Sequence, residues 1–277
     1  MAKGIGLIGN FKGKVGNMVG YKLTDSNSGN TQGIRVYQPI VKNPKTAAQA
    51  EQRAKLAPIN ATYRALKMVI DRGNEGLPYG NKSRLAWLKQ AFKAEGMPWF
   101  EKNAVINSPV LCQLSKGSLS GLDFTIDDGI LNIQASGVTG ETTLNTLGKV
   151  STALLAAYPS LKAGDQLTFI GISGKTSGMV SEVFSFIIDS TDATETTKFN
   201  AANGVIEYGL ISDGTIGSVI VSREGDGGEH LRSTSYLEIW SDAATHAPYD
   251  STSKTAAIES YMSSAAVNAD WAEESIQ

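Results

Sequence analysis

Residues 122–136 read LDFTIDDGILNIQAS, and their alternation decides the fold class. Leu122, Phe124 and Ile126 alternate with Asp123, Thr125 and Asp127; Leu131, Ile133 and Ala135 then alternate with Asn132, Gln134 and Ser136. A period of two is that of a strand with one packed face and one wet face. Between the two runs stands Asp128-Gly129, a two-residue hairpin turn whose geometry requires positive φ at both positions. That turn predicts the pairs Ile126–Leu131, Phe124–Ile133 and Leu122–Ala135 on one face and polar pairs such as Thr125–Asn132 on the other. Turn and pattern agree on the register, which a slip of one residue would invert.

Downstream, strand candidates follow at residues 166–172, 179–188, 204–210, 216–222 and 231–240. Asp213-Gly214 reads as a second hairpin turn, pairing Tyr208 with Val219 and Ile206 with Val221. Seven strands between residues 121 and 240, spaced by Gly/Asp/Ser loops, indicate an antiparallel β-sandwich or a jelly roll. Val150–Tyr158, ending at Pro159, is an apolar stretch compatible with a helix. The tail from Ser251 carries a short amphipathic helix with Ile258, Tyr261 and Met262 near one face, and it ends acidic, with Trp271 beside Glu273 and Glu274. That helix either folds back on the body or docks on a neighbouring subunit.

Upstream the signal is helical. Residues 41–73 read VKNPKTAAQAEQRAKLAPINATYRALKMVIDRG. Asn43-Pro44 discourages helix before it, and Thr46 with Gln49 matches a capping box. Pro58 lacks an N–H and predicts a kink or a division of the rod. Ile59, Tyr63, Leu66 and Ile70 form an apolar stripe, Arg53, Asn60, Arg64 and Lys67 share the opposite sector, and Gly73 is a natural stop. A second helix is predicted from Ser83 to about Glu95, with Leu85, Leu88 and Phe92 inward and Gly96 as its stop. Before these helices, residues 16–23 and 33–40 read as two strands around the polar loop TDSNSGNTQ, with Pro39 at a strand end or an edge. The expected class is α+β, mainly β: an antiparallel, jelly-roll-like β-sandwich body with an N-terminal basic arm and hairpin and two helices. Composition divides it into a Gly/Lys-rich arm and hairpin (1–42), a basic helical segment (43–103), the sandwich body (104–250) and an acidic tail (251–277).

The formal charge of −2 over 277 residues conceals an asymmetry. Residues 1–103 hold 17 Lys+Arg and 6 Asp+Glu, a net of +11, and residues 104–277 hold 8 and 21, a net of −13. Such a split implies either a basic segment meeting nucleic acid or a basic half meeting the acidic half of a neighbour. No apolar run reaches the 18 residues of a membrane span. The opening residues lack the apolar core of a signal peptide, and Cys112, the sole cysteine, permits no disulfide framework, so synthesis in the cytoplasm is expected.

Motifs for chemistry fail on context. Gly4-x-Gly6-x-x-Gly9 has no preceding strand or following helix, Gly174-Lys175-Thr176 reads as a turn, and Ser251-x-x-Lys254 lacks partner motifs. His230 and His246 have no further ligand at zinc spacing, and Glu224, Asp226 and Glu229 read as a solvated hairpin loop before they read as a calcium site. No Ser/His/Asp set can be nominated. The expectation is a non-enzyme without cofactor, metal or small-molecule substrate.

One resemblance attaches to the first quarter of the chain. GNFKGKVGNMVGYK followed by GIRVYQPIVKNPKTAAQAEQRAKLA, with Gly13, Val15, Gly16, Asn17, Arg35, Val36, Asn43, Pro44, Thr46, Gln49, Gln52 and Arg53 at the shared positions, resembles a family of proteins of gut bacteria and their phages. The later LRSTSYLEIW also looks like a family feature. The resemblance brings no chemistry; it implies a structural protein of a phage or phage-like particle. On that reading the chain is a capsid-type virion protein, made in the bacterial cytoplasm and assembling in many copies. Its basic region would neutralise phosphates without reading sequence. The cations expected to do so are Lys12, Lys14, Lys22, Arg35, Lys42 and Lys45 on the arm and Arg53, Arg64 and Lys67 on the helix. Tyr21 and Tyr37 either stack on bases or pack within the hairpin. Two other classes remain open: an adhesive, carbohydrate-binding sandwich, with only Trp240 and Tyr249 near β-loops, and a non-specific DNA-binding factor acting outside a shell.

Overall fold

The computed structural model describes residues 13–25, 29–37, 46–136, 142–210, 216–240 and 249–263. The chain divides into two compact units, residues 1–45 and residues 46–277. The first is an antiparallel three-stranded sheet of β1 (Gly13–Val15), β2 (Met18–Asp25) and β3 (Gly29–Val36). Its main ladder runs without interruption from Met18↔Val36 to Asp25↔Gly29. The polar segment read as a loop from residue 24 to 32 is therefore mostly strand. Backbone pairing does not need apolar side chains, so Thr24, Asn30 and Thr31 extend the hairpin. Pro39 lies outside the described residues.

The second unit begins with α1 (Ala47–Ala65), α2 (Lys67–Ile70) and α3 (Asn81–Ala91). Thr46 caps α1, its hydroxyl accepting from the Gln49 N–H at 3.3 Å. The reciprocal half of the capping box is not made, since Gln49 Oε1 is buried without a partner. Pro58 does not divide the rod: α1 runs through it, and the break comes eight residues later at Leu66. One missing N–H is absorbed inside a 19-residue helix whose neighbours at that point, Ala54 and Ile59, are fully buried. The helical run ends at Ile70, and Gly73 follows it where a Cβ would collide with the Leu114 carbonyl oxygen.

Two sheets follow. One is ordered β5-β6-β11-β10-β7, from β5 (Phe124–Asp127), β6 (Ile130–Gln134), β7 (Thr142–Thr143), β10 (Phe199–Ala202) and β11 (Val205–Gly209). The other is ordered β13-β12-β8-β9, from β8 (Gln166–Lys175), β9 (Gly178–Ile187), β12 (Ile216–Glu224) and β13 (His230–Arg232), with β15 (Glu238–Ile239) also on β12. A small pair joins β4 (Gln113–Ser115) to β14 (Ser235–Tyr236); α4 (Leu147–Ala157) precedes β8, and α5 (Ser251–Ser263) follows β15.

The opening hairpin has the register read from its sequence, with Phe124↔Ile133, Thr125↔Asn132 and Ile126↔Leu131. Asp128 and Gly129 take φ of 40° and 78°, the doubly positive turn that this pairing demands. Leu131, Ile133 and Ala135 are fully buried. They meet Phe169 of β8, Phe186 of β9, Phe199 of β10 and Tyr208 of β11 in a core between the two sheets, to which α4 adds Leu147, Val150 and Leu154. Phe169 is its hub, with ring centroids 4.5 Å from Tyr208 and 5.4 Å from Phe199.

Strands β8 and β12 are apolar on both faces. Leu167, Phe169, Val219 and Val221 point into that core. Ile170, Ile172, Ile216 and Ile220 point the other way, onto Ile59, Leu66, Ile70, Trp87 and Leu114. Near-continuous apolar strands are what a sheet covered on both sides requires. The unit is thus three layers deep: helices, sheet, sheet.

The second predicted hairpin is overturned. Tyr208 pairs with Leu131 and Phe199, and Val219 pairs with Phe169. β6 and β10 occupy both edges of β11, so β12 has no edge there to join and lies across the core instead; Asp213-Gly214 itself lies outside the described residues. The four hairpins β5–β6, β8–β9, β10–β11 and β12–β13 each stay within one sheet, so the molecule is a mainly β sandwich whose strands do not trace a jelly roll's paired Greek keys. The inward face of α3 also differs from expectation. Ser83, Trp87 and Ala91 are buried and Leu88 and Phe92 pack half-buried against the same core, but Leu85 is 48% exposed; the Ser83 hydroxyl, donating to the Ile70 carbonyl at 2.8 Å, lies on the inward side.

Candidate functional site

The chemistry the sequence foreshadows is cationic, and the helical layer is where the structure arranges it. The inner face of α1 is fixed by Ala50, Ala54, Ile59 and Leu66. Thr62, fully buried, donates to the Pro58 carbonyl at 2.9 Å and accepts from the Val110 N–H at 2.9 Å, tying the following loop to the helix. With that side locked, Arg53, Arg64 and Lys67 are exposed on the other.

The cations of this layer fall into three states. Lys55 and Lys254 share one counter-charge: both pair with Glu51, at 3.1 and 3.2 Å, and both lie over the Trp99 ring. Hydrogen bonds from these two lysines hold the Glu51 carboxyl below its ordinary range. This contact also joins α5 to α1, so the C-terminal helix folds back on its own chain, with Ala257 fully buried. Arg84 and Arg72 are seated on aromatic rings, 4.4 Å from Tyr63 and 5.6 Å from Tyr79. Arg53, Arg64 and Lys67 are exposed and make no ion pair among the described residues.

Three further lysines belong with this last group and were missed in the sequence. Lys82, Lys89 and Lys93 are exposed on or just past α3, likewise without an ion pair among the described residues. Their spacing of seven and eleven residues sets them on one helical stripe with Leu85. That spacing is legible, but it was obscured by assigning Leu85 to the core. Arg84 over Tyr63 sets α3 beside α1, so the two cationic stripes belong to one layer.

The arm residues are less gathered. Lys14, Val19 and Arg35 share one row of the N-terminal sheet, whereas Lys22 pairs with Gln32 three residues farther along β2. The Lys14 ammonium sits 3.7 Å from the centre of the Tyr37 ring, so one expected phosphate contact and one expected stacking ring occupy each other. Lys12, Lys42 and Lys45 lie outside the described residues.

The distal sheet is the electrostatic opposite. Its five strands contain no lysine or arginine and two carboxylates, Asp127 and Glu207, while Asp123 and Lys198 stand just before β5 and β10. The second unit is therefore polarised across its thickness, basic on the helical side and acidic on the far sheet.

Other candidate sites resolve into structure. A cleft of about 520 Å³ is lined by Asn74, Glu75, Leu77, Gln90, Lys116 and Ser118. Its one carboxylate, Glu75, accepts from the Ser118 N–H and hydroxyl at 2.9 Å each and from the Arg232 N–H at 3.0 Å. Burial pulls this carboxyl up, but the three donors outweigh it and hold it below the usual range. A carboxylate so bonded is a clamp between loops. The His230 ring lies tilted against Tyr79 with centroids 5.5 Å apart, the half-buried Tyr249 donates to the Pro109 carbonyl at 2.8 Å, and His246 lies outside the described residues. Among the described residues no group of three His, Cys, Asp or Glu is placed to hold a metal ion, and no helix is long and apolar enough to cross a membrane.

No protein family, curated protein or solved structure matches this chain. The site must therefore be read from its own geometry. A layer of unpaired cations on rigid helices, backed by a core and opposed by an acidic sheet, can do two things chemically. It can neutralise a polyanion, or it can stack against the acidic sheet of another copy.

Proposed function

We propose that the chain is a structural virion protein, a self-assembling capsid-type subunit of a phage or phage-like particle, whose basic N-terminal region meets packaged nucleic acid or a neighbouring subunit. The observation that carries this reading is the charge polarity of the second unit. Arg53, Arg64, Lys67, Lys82, Lys89 and Lys93 stand exposed on one side with no ion pair among the described residues, and five strands without lysine or arginine form the other. Such a division suits a shell subunit, whose two surfaces face different surroundings. The resemblance of residues 9–23 and 32–56 to phage-associated sequences supports the same reading.

The test is electron microscopy and sedimentation of the purified full-length chain with and without nuclease, joined to a salt titration of nucleic-acid binding. Multi-copy particles that protect nucleic acid are expected. Six cations set against phosphates release counterions and correspond to a slope of log K against log salt of roughly −4 to −5.5. Replacing Arg64 and Lys67 with glutamine should reduce that slope by roughly 1.5 to 2. A monodisperse monomer without salt-dependent binding would overturn the proposal.

A further inference from the structure

Strand β9 ends its sheet, paired with β8 on one side only. The ladder runs from Gln166↔Ile187 to Lys175↔Gly178 with no bulge. Beyond that ladder no backbone N–H or C=O of Gly178–Ile187 makes a hydrogen bond among the described residues. Proteins commonly blunt such an edge with lysine, proline, a bulge or a short strand. This one, GMVSEVFSFI, has ten residues, no lysine, arginine or proline, and a single charge, Glu182, which is already paired with Lys198. The other edges of the two sandwich sheets are guarded: β7 has two residues, β13 has three and carries His230 and Arg232, and β5 has four and carries Asp127.

The side chains of β9 specify what would join it. Phe184 and Phe186 point into the sandwich core. On the opposite face α1 covers only one end, where the Ser181 hydroxyl donates to the Ala65 carbonyl at 2.8 Å. Past that point Val183 and Ile187 are exposed by 45% and 58%. Open backbone groups beside exposed apolar side chains call for another extended strand.

Resting on the self-assembly reading above, we infer that β9 is an assembly seam, pairing antiparallel with β9 of a second copy about a two-fold axis at Val183. That register overlaps nine residues. It sets Val183 opposite its own copy, Ser181 opposite Ser185, and Ile187 opposite Met179. Glu182 falls opposite Phe184 of the second copy. Moving the axis to Glu182 would oppose two carboxylates, and moving it to Phe184 would shorten the overlap to seven residues. The exposed Ile187 gains a seat beside Met179 at the end the second copy's α1 covers. Isologous pairing of this kind closes on itself and extends one sheet through two molecules.

The experiment uses the full-length chain. Its natural thiol, Cys112, is buried, so Val183→Cys supplies the one accessible cysteine. Mild oxidation should give a disulfide dimer of V183C, whereas Ser185→Cys alone should give little and a mixture of S181C with S185C should cross-link. Val183→Lys and Ile187→Lys should weaken self-association at least tenfold in sedimentation, with circular dichroism unchanged. If the natural chain assembles while both lysine variants assemble equally and V183C stays uncross-linked, the seam is wrong and the assembly reading stands. Lysine variants that fail to assemble without V183C cross-linking would assign the edge to some other strand and overturn the two-fold pairing. A natural chain that never associates overturns both.

Discussion

Replacing Asp165 with alanine should be among the most damaging single polar changes in the molecule. Its side chain is 1% exposed, and it accepts from Arg223 Nε at 2.6 Å, from an Arg223 terminal nitrogen at 2.7 Å and from the Lys162 N–H at 2.8 Å. The pair bolts the turn before β8 to β12, the two strands that both cores share. Removing one member of a buried pair costs about 3–5 kcal/mol when the other stays dry. The Arg223 side chain is 20% exposed and keeps a bond to the Ser160 carbonyl, so water can partly repair it. About 2–3 kcal/mol is therefore expected for D165A, a fall of roughly 5–10 °C in the thermal midpoint at this size. Urea unfolding followed by circular dichroism measures it. The charge argument makes a second demand. Asp165→Leu with Arg223→Met removes both charges and should be much milder than D165A, because apolar pairs of similar volume often replace buried ion pairs without loss. If the double variant is as unstable as the single one, the loss comes from packing and the reasoning is refuted. A D165A variant within about 0.5 kcal/mol of the parent would refute it equally.

Gly129→Ala and Gly204→Ala each place a Cβ at positive φ, 78° and 85°, and each should destabilise by about 1–2 kcal/mol in calorimetry, whereas Asp128→Gly should be nearly neutral. Glu75 should contribute to acid sensitivity. Its folded carboxyl lies below the unfolded value, so the unfolded chain binds more protons in that window and Glu75's share of stability, present at neutral pH, drains away as pH falls through the ordinary carboxylate range and below. Unfolding titrations of Glu75→Gln should accordingly be flatter with pH there than those of the parent. An unchanged pH profile would mean the clamp is not formed in solution.

The hairpin at 122–136 was legible in full because two independent signals coincided: a turn that fixes which residues pair and an alternation that fixes which face is buried. At Asp213-Gly214 only the dipeptide and flanking valines and isoleucines were available, and the pairing drawn from them was wrong. The decisive clue stood nearby. Asn203-Gly204 takes φ of 47° and 85° and joins β10 to β11, so the true hairpin partner of Ile206 is Ala201. Phe199–Ala202 is too short to announce itself as a strand, and only its turn marks it. The helical cations were readable from the wheel of α1, while those of α3 were hidden by counting Leu85 as inward, although Leu88 and Phe92 do pack on the core. The double burial of β8 and β12 was implicit in LTFIGIS and IGSVIVS, runs with hardly a charge, yet nothing in them named the helices that cover the second face.

That double burial changes what the charge asymmetry means. Residues 46–103 are not an arm: Ile59, Leu66, Ile70 and Trp87 share one core with Ile170, Ile172, Ile216 and Ile220 of the sandwich. The basic helices are thus held rigidly against the acidic body, and only residues 1–45 form a separate unit. Two deletions distinguish this arrangement from a basic tail on a self-sufficient sandwich. Removing residues 1–45 should leave the cooperative unfolding of the remainder within about 1 kcal/mol, since the second unit keeps its whole core. Removing residues 1–103 should abolish folding, because it uncovers four isoleucines of two strands at once, each worth roughly 1.5–3 kcal/mol of burial against a total stability of about 5–15. A soluble, cooperatively folding 104–277 fragment would show that the sandwich never needed the helices, and the polarity from which assembly is argued would lose its rigid base.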